Sequence, residues 1–228
     1  MIRLQDVEKS YRSDASVTPV LRVPAFDIAA GERVALVGAS GSGKTTLLNL
    51  LSGLVCADTG LVEVAGQDLT QLSEPARDRF RARSVGYMFQ SFHLLDGFSA
   101  LENVELGESF AGRKVDRAEA QTLLEGLGLG RRIHYMPSQL SVGQQARVAL
   151  ARALAGSPQL ILADEPTGAL DGAAAENILK LLLERGKAAG ATMLVATHDP
   201  GVAAQFDRTV AVEDLNKVRP SAGEEVLP

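Results

Sequence analysis

The sequence predicts an α/β fold with a parallel sheet at its core. Three short apolar segments support this prediction, because each has the length and composition of a buried strand. They are residues 34–37, 160–163 and 192–197. A long stretch between the first two, 91–157, has the residue spacing of helices, for instance from Arg117 to Leu127. We therefore expect a helical insertion between strands of an α/β core.

The other predicted elements are shorter. An edge strand is expected over 2–7 and a second strand over 20–28, interrupted at Pro24. Further strands are expected over 61–65, 85–89 and 208–212, and helices over 46–51, 73–83 and 173–188. The chain then forms one domain, 1–228, with a core lobe over 1–90 and 158–213, a helical subdomain over 91–157 and a tail over 214–228.

Composition and charge limit the possible functions. The 228 residues are 46% hydrophobic and 22% charged, as in ordinary globular proteins, and the net charge of −5 argues against a nucleic-acid partner. No apolar run approaches the roughly 18 to 20 residues that span a bilayer, and the N-terminus lacks the apolar core of a signal peptide. The single cysteine, Cys56, fits a reducing cytosol. We expect a cytoplasmic protein that acts at a membrane only through a partner.

The segment from Gly38 to Thr45 is a glycine-rich loop between an apolar strand and a helix. Its sequence matches the phosphate-loop pattern G-x-x-x-x-G-K-[ST] in the context that the pattern requires. Glycines let the backbone turn its N–H groups toward phosphate oxygens, and the helix start adds its positive end. Lys44 is expected at the β- and γ-phosphates and the Thr45 hydroxyl at Mg²⁺. The predicted nucleotide-binding residues here are Gly38, Ala39, Ser40, Gly41, Ser42, Gly43, Lys44, Thr45 and Thr46.

Two carboxylates end the second apolar segment. Asp164 is expected to bind Mg²⁺, as the second acidic element of phosphate-loop ATPases does. Adjacent strand residues point to opposite sides, so Glu165 is expected to do something different, namely to orient or deprotonate an attacking water. The alternative is a pair of solvated loop acids, which the four preceding apolar residues disfavour.

A second candidate phosphate contact lies at Leu140-Ser-Val-Gly-Gln144. Ser141 and Gln144 have the spacing of a capping box at the start of a helix. A capped helix start that contains Gly143 is also a possible anion site, so the two interpretations are compatible.

Together these motifs resemble the ATP-binding subunit of ABC transporters. The resemblance covers residues 1 to about 213 and runs in family order: the phosphate loop, Gln90, the 140–144 segment, Asp164-Glu165, Ala-Leu-Asp at 169–171, and His198. It implies a RecA-like phosphate-loop ATPase core with an N-terminal antiparallel β subdomain and an inserted α-helical subdomain. It also implies ATP and Mg²⁺ as ligands, a homodimer, and a membrane permease as partner.

The resemblance implies roles for residues within one chain. From the residues alone, Tyr11 could cover a sheet edge or stack on a base; by resemblance it stacks on adenine. Gln90 contacts Mg²⁺ and the attacking water and senses the permease. His198 holds the γ-phosphate and the attacking water, and is grouped with Glu165 and Gln90 as catalytic.

Other implied roles belong to contacts between two chains. Ser141 and Gly143, with Gln144, would bind the γ-phosphate of ATP held by a second subunit, and Asp171 would link the two sites. This sequence departs from the usual Leu-Ser-Gly-Gly-Gln at Val142. We expect a working site, since the two donor positions are retained, although affinity or dimer closure could differ.

A narrower resemblance is to the lipoprotein-release and macrolide-export subfamily, which includes the cell-division pair; these proteins work with a permease that has a large extracytoplasmic domain. The residues that carry this narrower resemblance are 86–95, 101–104 and 164–171. We expect apolar residues after Gln90 to be exposed and to dock on the permease, with core packing as the alternative; they are Phe92, Leu94, Leu95 and Phe98. The cargo stays open.

Two other functions are weighed against this one. Soluble ABC proteins of translation or DNA repair usually carry two cassettes or long coiled-coil insertions, for which this chain has no room. A GTPase of the phosphate-loop superfamily would usually carry Asn-Lys-x-Asp. The Asn-Lys pair found here, at 216–217, lacks that acid.

Overall fold

A computed structural model describes residues 1–12, 16–110 and 115–218, without the side chain of residue 110. Most of the predicted tail, 219–228, lies outside the described residues. Within these ranges the strands are β1 Ile2–Arg12, β2 Val17–Ile28, β3 Arg33–Val37, β4 Thr59–Val64, β5 Gln67–Asp68, β6 Val85–Met88, β7 Leu160–Asp164, β8 Thr192–Thr197 and β9 Arg208–Ala211. The helices are α1 Lys44–Leu51, α2 Glu74–Ser84, α3 Ala100–Phe110, α4 Arg117–Gly126, α5 Val142–Leu154, α6 Gly172–Ala188, α7 Pro200–Ala203 and α8 Val212–Leu215.

The strands form two sheets. One has the order β2-β1-β4-β5 and is antiparallel. The other has the order β6-β7-β8-β3-β9 and is parallel. The predicted α/β class, with a parallel core sheet and an N-terminal antiparallel sheet, is confirmed.

The second strand is continuous, so the predicted interruption at Pro24 is wrong. β2 lies at the edge of its sheet, where a residue without an N–H is tolerated. Pro24 also falls in the gap between the pairs Gln5–Ala25 and Val7–Val23, opposite Asp6, which has a φ of 48°. The strand therefore loses no ladder hydrogen bond at the proline.

Alternation along the parallel strands divides the hydrophobic core into two layers. In β8, Leu194 and Ala196 face a layer shared with the antiparallel sheet and α1. Met193 and Val195 face a second layer, shared with helices of the 100–188 region. Because each central strand is buried on both faces, it reads in the sequence as a continuous apolar run.

The stretch 91–157 contains three of the helices, α3, α4 and α5, as expected from its spacing. Asp116 caps α4 by accepting hydrogen bonds from the N–H groups of Ala118 and Glu119. The division of the chain into a core lobe and a helical subdomain stays a prediction. Of the described helices, none combines the length and the apolarity needed to cross a bilayer.

The parallel order of the strands determines where the polar motifs meet. β3 and β7 both pair with β8, and β6 pairs with β7. Parallel strands end at the same edge of a sheet, and ligands bind outside that carboxyl edge. The loop after β3 and the residues after β6, β7 and β8 therefore lie next to one another.

Candidate functional site

A cleft of about 630 Å³ opens at the carboxyl edge of the parallel sheet. Its walls come from the phosphate loop, the ends of β6, β7 and β8, and the antiparallel sheet. The lining residues are Tyr11, Val20, Ser40, Gly41, Gly43, Lys44, Thr45, Thr46, Gln90, Asp164, Glu165 and His198. All except Val20 are residues that the sequence singles out.

The glycines of the phosphate loop adopt backbone conformations that other residues disfavour. Gly41 and Gly43 have φ values of 77° and 104°, in the left-handed region that side chains disfavour. A Cβ on Gly38 would lie 2.7 Å from Ser42 Oγ, so a side chain at that position would require the Ser42 hydroxyl to move. The loop ends at Gly43, where α1 begins.

Lys44 places a positively charged side chain in the cleft and is 8% exposed. Its Nζ donates hydrogen bonds to the carbonyl oxygens of Gly38 and Ala39, at 2.6 and 3.0 Å. The same nitrogen lies 4.0 Å from Glu165 Oε1. The ammonium group is thus anchored by the loop itself and faces the carboxylate of Glu165, just beyond the end of β7.

Thr45 and Asp164 form a second polar pair. Thr45 Oγ1 donates a hydrogen bond to Asp164 Oδ2 at 2.6 Å. Burial raises the pKa of the Asp164 carboxyl; the Thr45 hydrogen bond and the Lys44 charge lower it, whereas the Glu165 charge raises it further. A hydroxyl and a carboxylate oxygen at this separation present two hard ligands on one side of the cleft.

Glu165 lies beyond the end of β7 and is held by β8. Its Oε1 is 3.0 Å from the ring nitrogen Nδ1 of His198. Its Oε2 accepts a longer hydrogen bond, 3.4 Å, from the backbone N–H of His198. The residue has a φ of 46°, so it does not continue the strand. Asp164 and Glu165 therefore both face the cleft, contrary to the opposite orientations predicted from strand alternation.

The residues present fit a nucleotide phosphate. No side chain in the described ranges caps the start of α1, which leaves the first N–H groups of that helix open to the cleft. Ser42 Oγ is buried in the same loop without a hydrogen-bond partner among the described residues. Both features suit an anionic ligand, because phosphate oxygens accept hydrogen bonds from such donors.

Seven predicted contact residues are not in the lining of the cleft: Gly38, Ala39 and Ser42 of the phosphate loop, and Ser141, Gly143, Gln144 and Asp171. Ser141 forms the predicted capping box: its Oγ accepts from the Gln144 N–H at 3.3 Å, and Gln144 Oε1 accepts from the Ser141 N–H at 3.0 Å. A Cβ on Gly143 would lie 3.5 Å from Ala174 Cβ, near the start of α6, which Asp171 caps. Ser141, Gly143, Gln144 and Asp171 are thus close to one another but do not line the cleft of their own chain.

Gln90 and Tyr11 lie on the cleft walls. Tyr11 is an exposed residue of β1, and Lys9 Nζ lies 5.7 Å from its ring centroid. Since part of the ring is exposed at the cleft, it can stack on a planar ligand as well as cover the sheet edge.

Arg152 was not singled out from the sequence, yet it holds the segment that follows Gln90. Its guanidinium donates to the carbonyl oxygens of Phe92 and His93, at 2.5 and 2.6 Å. Those two residues have φ values of 58° and 46°, a costly backbone for non-glycine residues. Burial lowers the pKa of Arg152. A helix arginine is unremarkable in sequence, so only the fold reveals this contact between α5 and the 90–93 segment.

A family model described as "ABC transporter" matches residues 21–168. Among curated proteins, the chain is 45% identical to lipoprotein-releasing system ATP-binding protein LolD 2 of Caulobacter vibrioides, over 94% of this chain and 95% of that protein. It is also 45% identical to macrolide export ATP-binding/permease protein MacB of Escherichia coli K12, over 99% of this chain. The chain spans only 35% of that longer protein.

Solved structures give a consistent comparison. The chain is similar to the ATP-binding cassette MJ0796 in a dimeric, post-hydrolysis state bound to ADP and Pi, with a TM-score of 0.86 and 37% identity. The match covers 92% of this chain and 94% of that one. A second dimeric structure of the same cassette, described as a bacterial ABC transporter cassette, also gives a TM-score of 0.86.

Proposed function

The chain belongs to the ABC transporter family, and on that premise we propose that it hydrolyses ATP to drive a separate membrane permease of the lipoprotein-release or macrolide-export type. The observation that carries the proposal is the convergence of Lys44, Thr45, Asp164, Glu165 and His198 in one cleft. This set supplies a cation for phosphates, two oxygen ligands, a base and a residue that orients the base.

Within the cleft we assign the residues as follows. Lys44 and the N–H groups at the start of α1 bind the β- and γ-phosphates. Glu165 accepts a proton from the attacking water, and His198, at 3.0 Å from Glu165 Oε1, holds that carboxylate in position. Gln90 closes the wall beside them, and Tyr11 stacks on the base.

Thr45, Gln90 and Asp164 are the proposed Mg²⁺ contacts, and Thr45 and Asp164 form a hydrogen-bonded pair. In the described part of the chain, no group of three or more His, Cys, Asp or Glu side chains is arranged to hold a metal by itself. Mg²⁺ commonly uses one or two protein oxygens together with substrate phosphates, so this pair is sufficient for that mode of binding. Bound there, Mg²⁺ neutralises charge on the phosphates.

We propose that two copies of the chain form the active assembly. Ser141, Gly143, Gln144 and Asp171 lie outside the cleft of their own chain, at the start of α5 and α6. A second chain placed against the cleft would bring its Ser141 hydroxyl and α5 start to the γ-phosphate. The similar cassette MJ0796 is itself dimeric.

The proposed location is the cytoplasmic face of the membrane, through the permease. Four exposed apolar residues form a patch suited to such docking: Leu95 and Phe98, at 46% and 40% exposure, with Tyr135 and Met136. The N–H of Ala100 donates to the Tyr135 carbonyl, which joins the two loops. The prediction of exposure is wrong for Phe92, which is 5% exposed and belongs to the core. It is also wrong for Leu94, which is half-buried and packs against that core.

We expect Lys44→Ala to abolish measurable ATP binding, because it removes the charge that faces the phosphates in a loop of neutral amides. Isothermal titration with ATP measures the effect, and circular dichroism checks the fold. Lys180→Ala changes an exposed lysine that pairs with Glu184, and as the matched control it should bind ATP normally. Unchanged affinity in Lys44→Ala would refute the phosphate-loop assignment.

The docking patch is tested by the double substitution Leu95→Ser and Phe98→Ser. We expect a clear loss of binding to a co-expressed, detergent-extracted permease, with ATP affinity retained, because apolar contact area is removed away from the cleft. Leu54→Ser changes an equally exposed leucine elsewhere and serves as the control. If this variant recovers as much permease as the wild type does, these residues are exposed but do not take part in docking.

A further inference from the structure

We propose that the segment Val212–Asn216 positions the phosphate loop for ATP, through the side chains of Glu213 and Asn216. The proposal rests on the ATP-binding function given above and adds two positioning residues to it. Asn216 belongs to the Asn-Lys pair that lacks the acid of a guanine-reading motif. Its contacts give it a different role.

Asn216 joins three separate parts of the chain with one side chain. Its Nδ2 donates to the carbonyl oxygens of Val20 and Ser42, at 2.8 and 3.2 Å. Its Oδ1 accepts from the N–H groups of Arg22 and Val218, at 2.9 and 3.1 Å. All of its hydrogen-bonding capacity is therefore used to connect β2, the phosphate loop and the segment after α8.

The contact with Ser42 controls the direction of the next amide. In a trans peptide the C=O and the following N–H point in opposite directions, and no peptide in the described residues is cis. When Asn216 binds the Ser42 carbonyl from outside, the Gly43 N–H is turned away from Asn216. Gly43 lines the cleft, so this peptide is oriented with its donor available for a phosphate.

Glu213 holds a second peptide of the same loop. Its Oε1 accepts a hydrogen bond from the Ala39 N–H at 3.2 Å. The carbonyl of that peptide, Gly38 O, accepts from Lys44 Nζ at 2.6 Å. Glu213 and Lys44 therefore hold opposite ends of one peptide group, so Glu213 acts on the lysine through the backbone between them.

The fit of the carboxylate against the loop is close. A Cβ on Gly38 would lie 3.1 and 3.3 Å from the two carboxylate oxygens of Glu213. A Cβ on Gly43 would lie 2.8 Å from a Leu21 methyl group and 3.5 Å from Asn216 Nδ2. The loop therefore packs on β2 and on the segment after β9, and not only on the strand and helix that flank it.

The test uses steady-state kinetics of the full chain with ATP. We expect Asn216→Ala and Glu213→Ala each to raise KM for ATP by about three- to tenfold, the effect of losing a hydrogen bond, with kcat at saturating ATP close to that of the wild type. Glu213→Gln keeps an acceptor for the Ala39 N–H, so it should retain most of the wild-type affinity for ATP that Glu213→Ala loses. Asp214→Asn makes the same change of charge on the neighbouring residue and should behave as the wild type.

A purely structural role would give a different result. If Asn216→Ala lowers the unfolding temperature and kcat while KM stays unchanged, the positioning role is refuted. The same holds if Glu213→Gln is as impaired as Glu213→Ala, since an acceptor alone would then not be what matters.

Hydrogen exchange of the nucleotide-free protein separates this inference from the proposed function. We expect faster amide exchange over 39–43 in Asn216→Ala than in Asp214→Asn, because the loop loses its outer contact. Equal exchange would overturn the inference even if ATP binding is normal. Faster exchange together with a wild type that fails to bind ATP would instead refute the proposed function and leave the positioning contact standing.

Discussion

Replacing Glu165 with glutamine is expected to lower ATP turnover by about a hundred- to ten-thousand-fold, the usual contribution of a general base. Glutamine keeps the size of the side chain but cannot accept the proton of the attacking water. Glu165 is 9% exposed and its carboxylate is held by His198, so the substitution should leave the shape of the cleft unchanged. ATP binding should therefore persist, and the variant should accumulate as an ATP-bound dimer on gel filtration.

The control for this variant is Glu184→Gln, which removes an exposed carboxylate of α6 that pairs with Lys180. Its turnover should match the wild type. If Glu165→Gln turned over ATP at nearly the wild-type rate, the base would have to be another group. A variant that no longer binds ATP would indicate that Glu165 mainly counterbalances Lys44, which lies 4.0 Å away.

Mixing two inactive variants, Lys44→Ala and Ser141→Arg, is expected to restore ATPase activity. If each site pairs the phosphate loop of one chain with Ser141 of the other, each homodimer has two damaged sites. The heterodimer instead has one site with both halves intact and one with both halves damaged. Activity should reach at most half of the wild-type value per heterodimer, and less if the two sites act cooperatively.

A second mixture makes the opposite prediction. A chain that carries both substitutions, mixed with the wild type, gives heterodimers in which each shared site has one damaged half. These heterodimers should be inactive, whereas sites built within one chain would leave half of the activity. If verified heterodimers keep half of the activity, each site is built within one chain. Ser141 would then act only in the capping box that the structure shows.

Local patterns in the sequence determined much of this protein. The phosphate loop needs only adjacent residues, because its glycines, Lys44 and Thr45 act through neighbouring backbone and the start of α1. The Ser141–Gln144 capping box is local for the same reason, and the structure has it as predicted. The central strands could be recognised because burial on both faces leaves continuous apolar runs.

Side-chain direction and burial depended on the tertiary structure where local sequence patterns gave the wrong prediction. Strand alternation placed Asp164 and Glu165 on opposite sides, but the left-handed backbone at Glu165 turns both toward the cleft. Phe92 reads as one more apolar residue after Gln90, and only packing shows that it is buried.

Contacts between distant residues depend on the tertiary structure most of all. Arg152 binds the Phe92 carbonyl across 60 residues, Glu213 binds the Ala39 N–H across 174, and Asn216 binds the Val20 carbonyl across 196. Each partner is a backbone group, which every residue carries, so no residue type in the sequence marks it. The packing of α8 against β2 and of α5 against β6 brings these segments together, and that packing is a property of the whole fold.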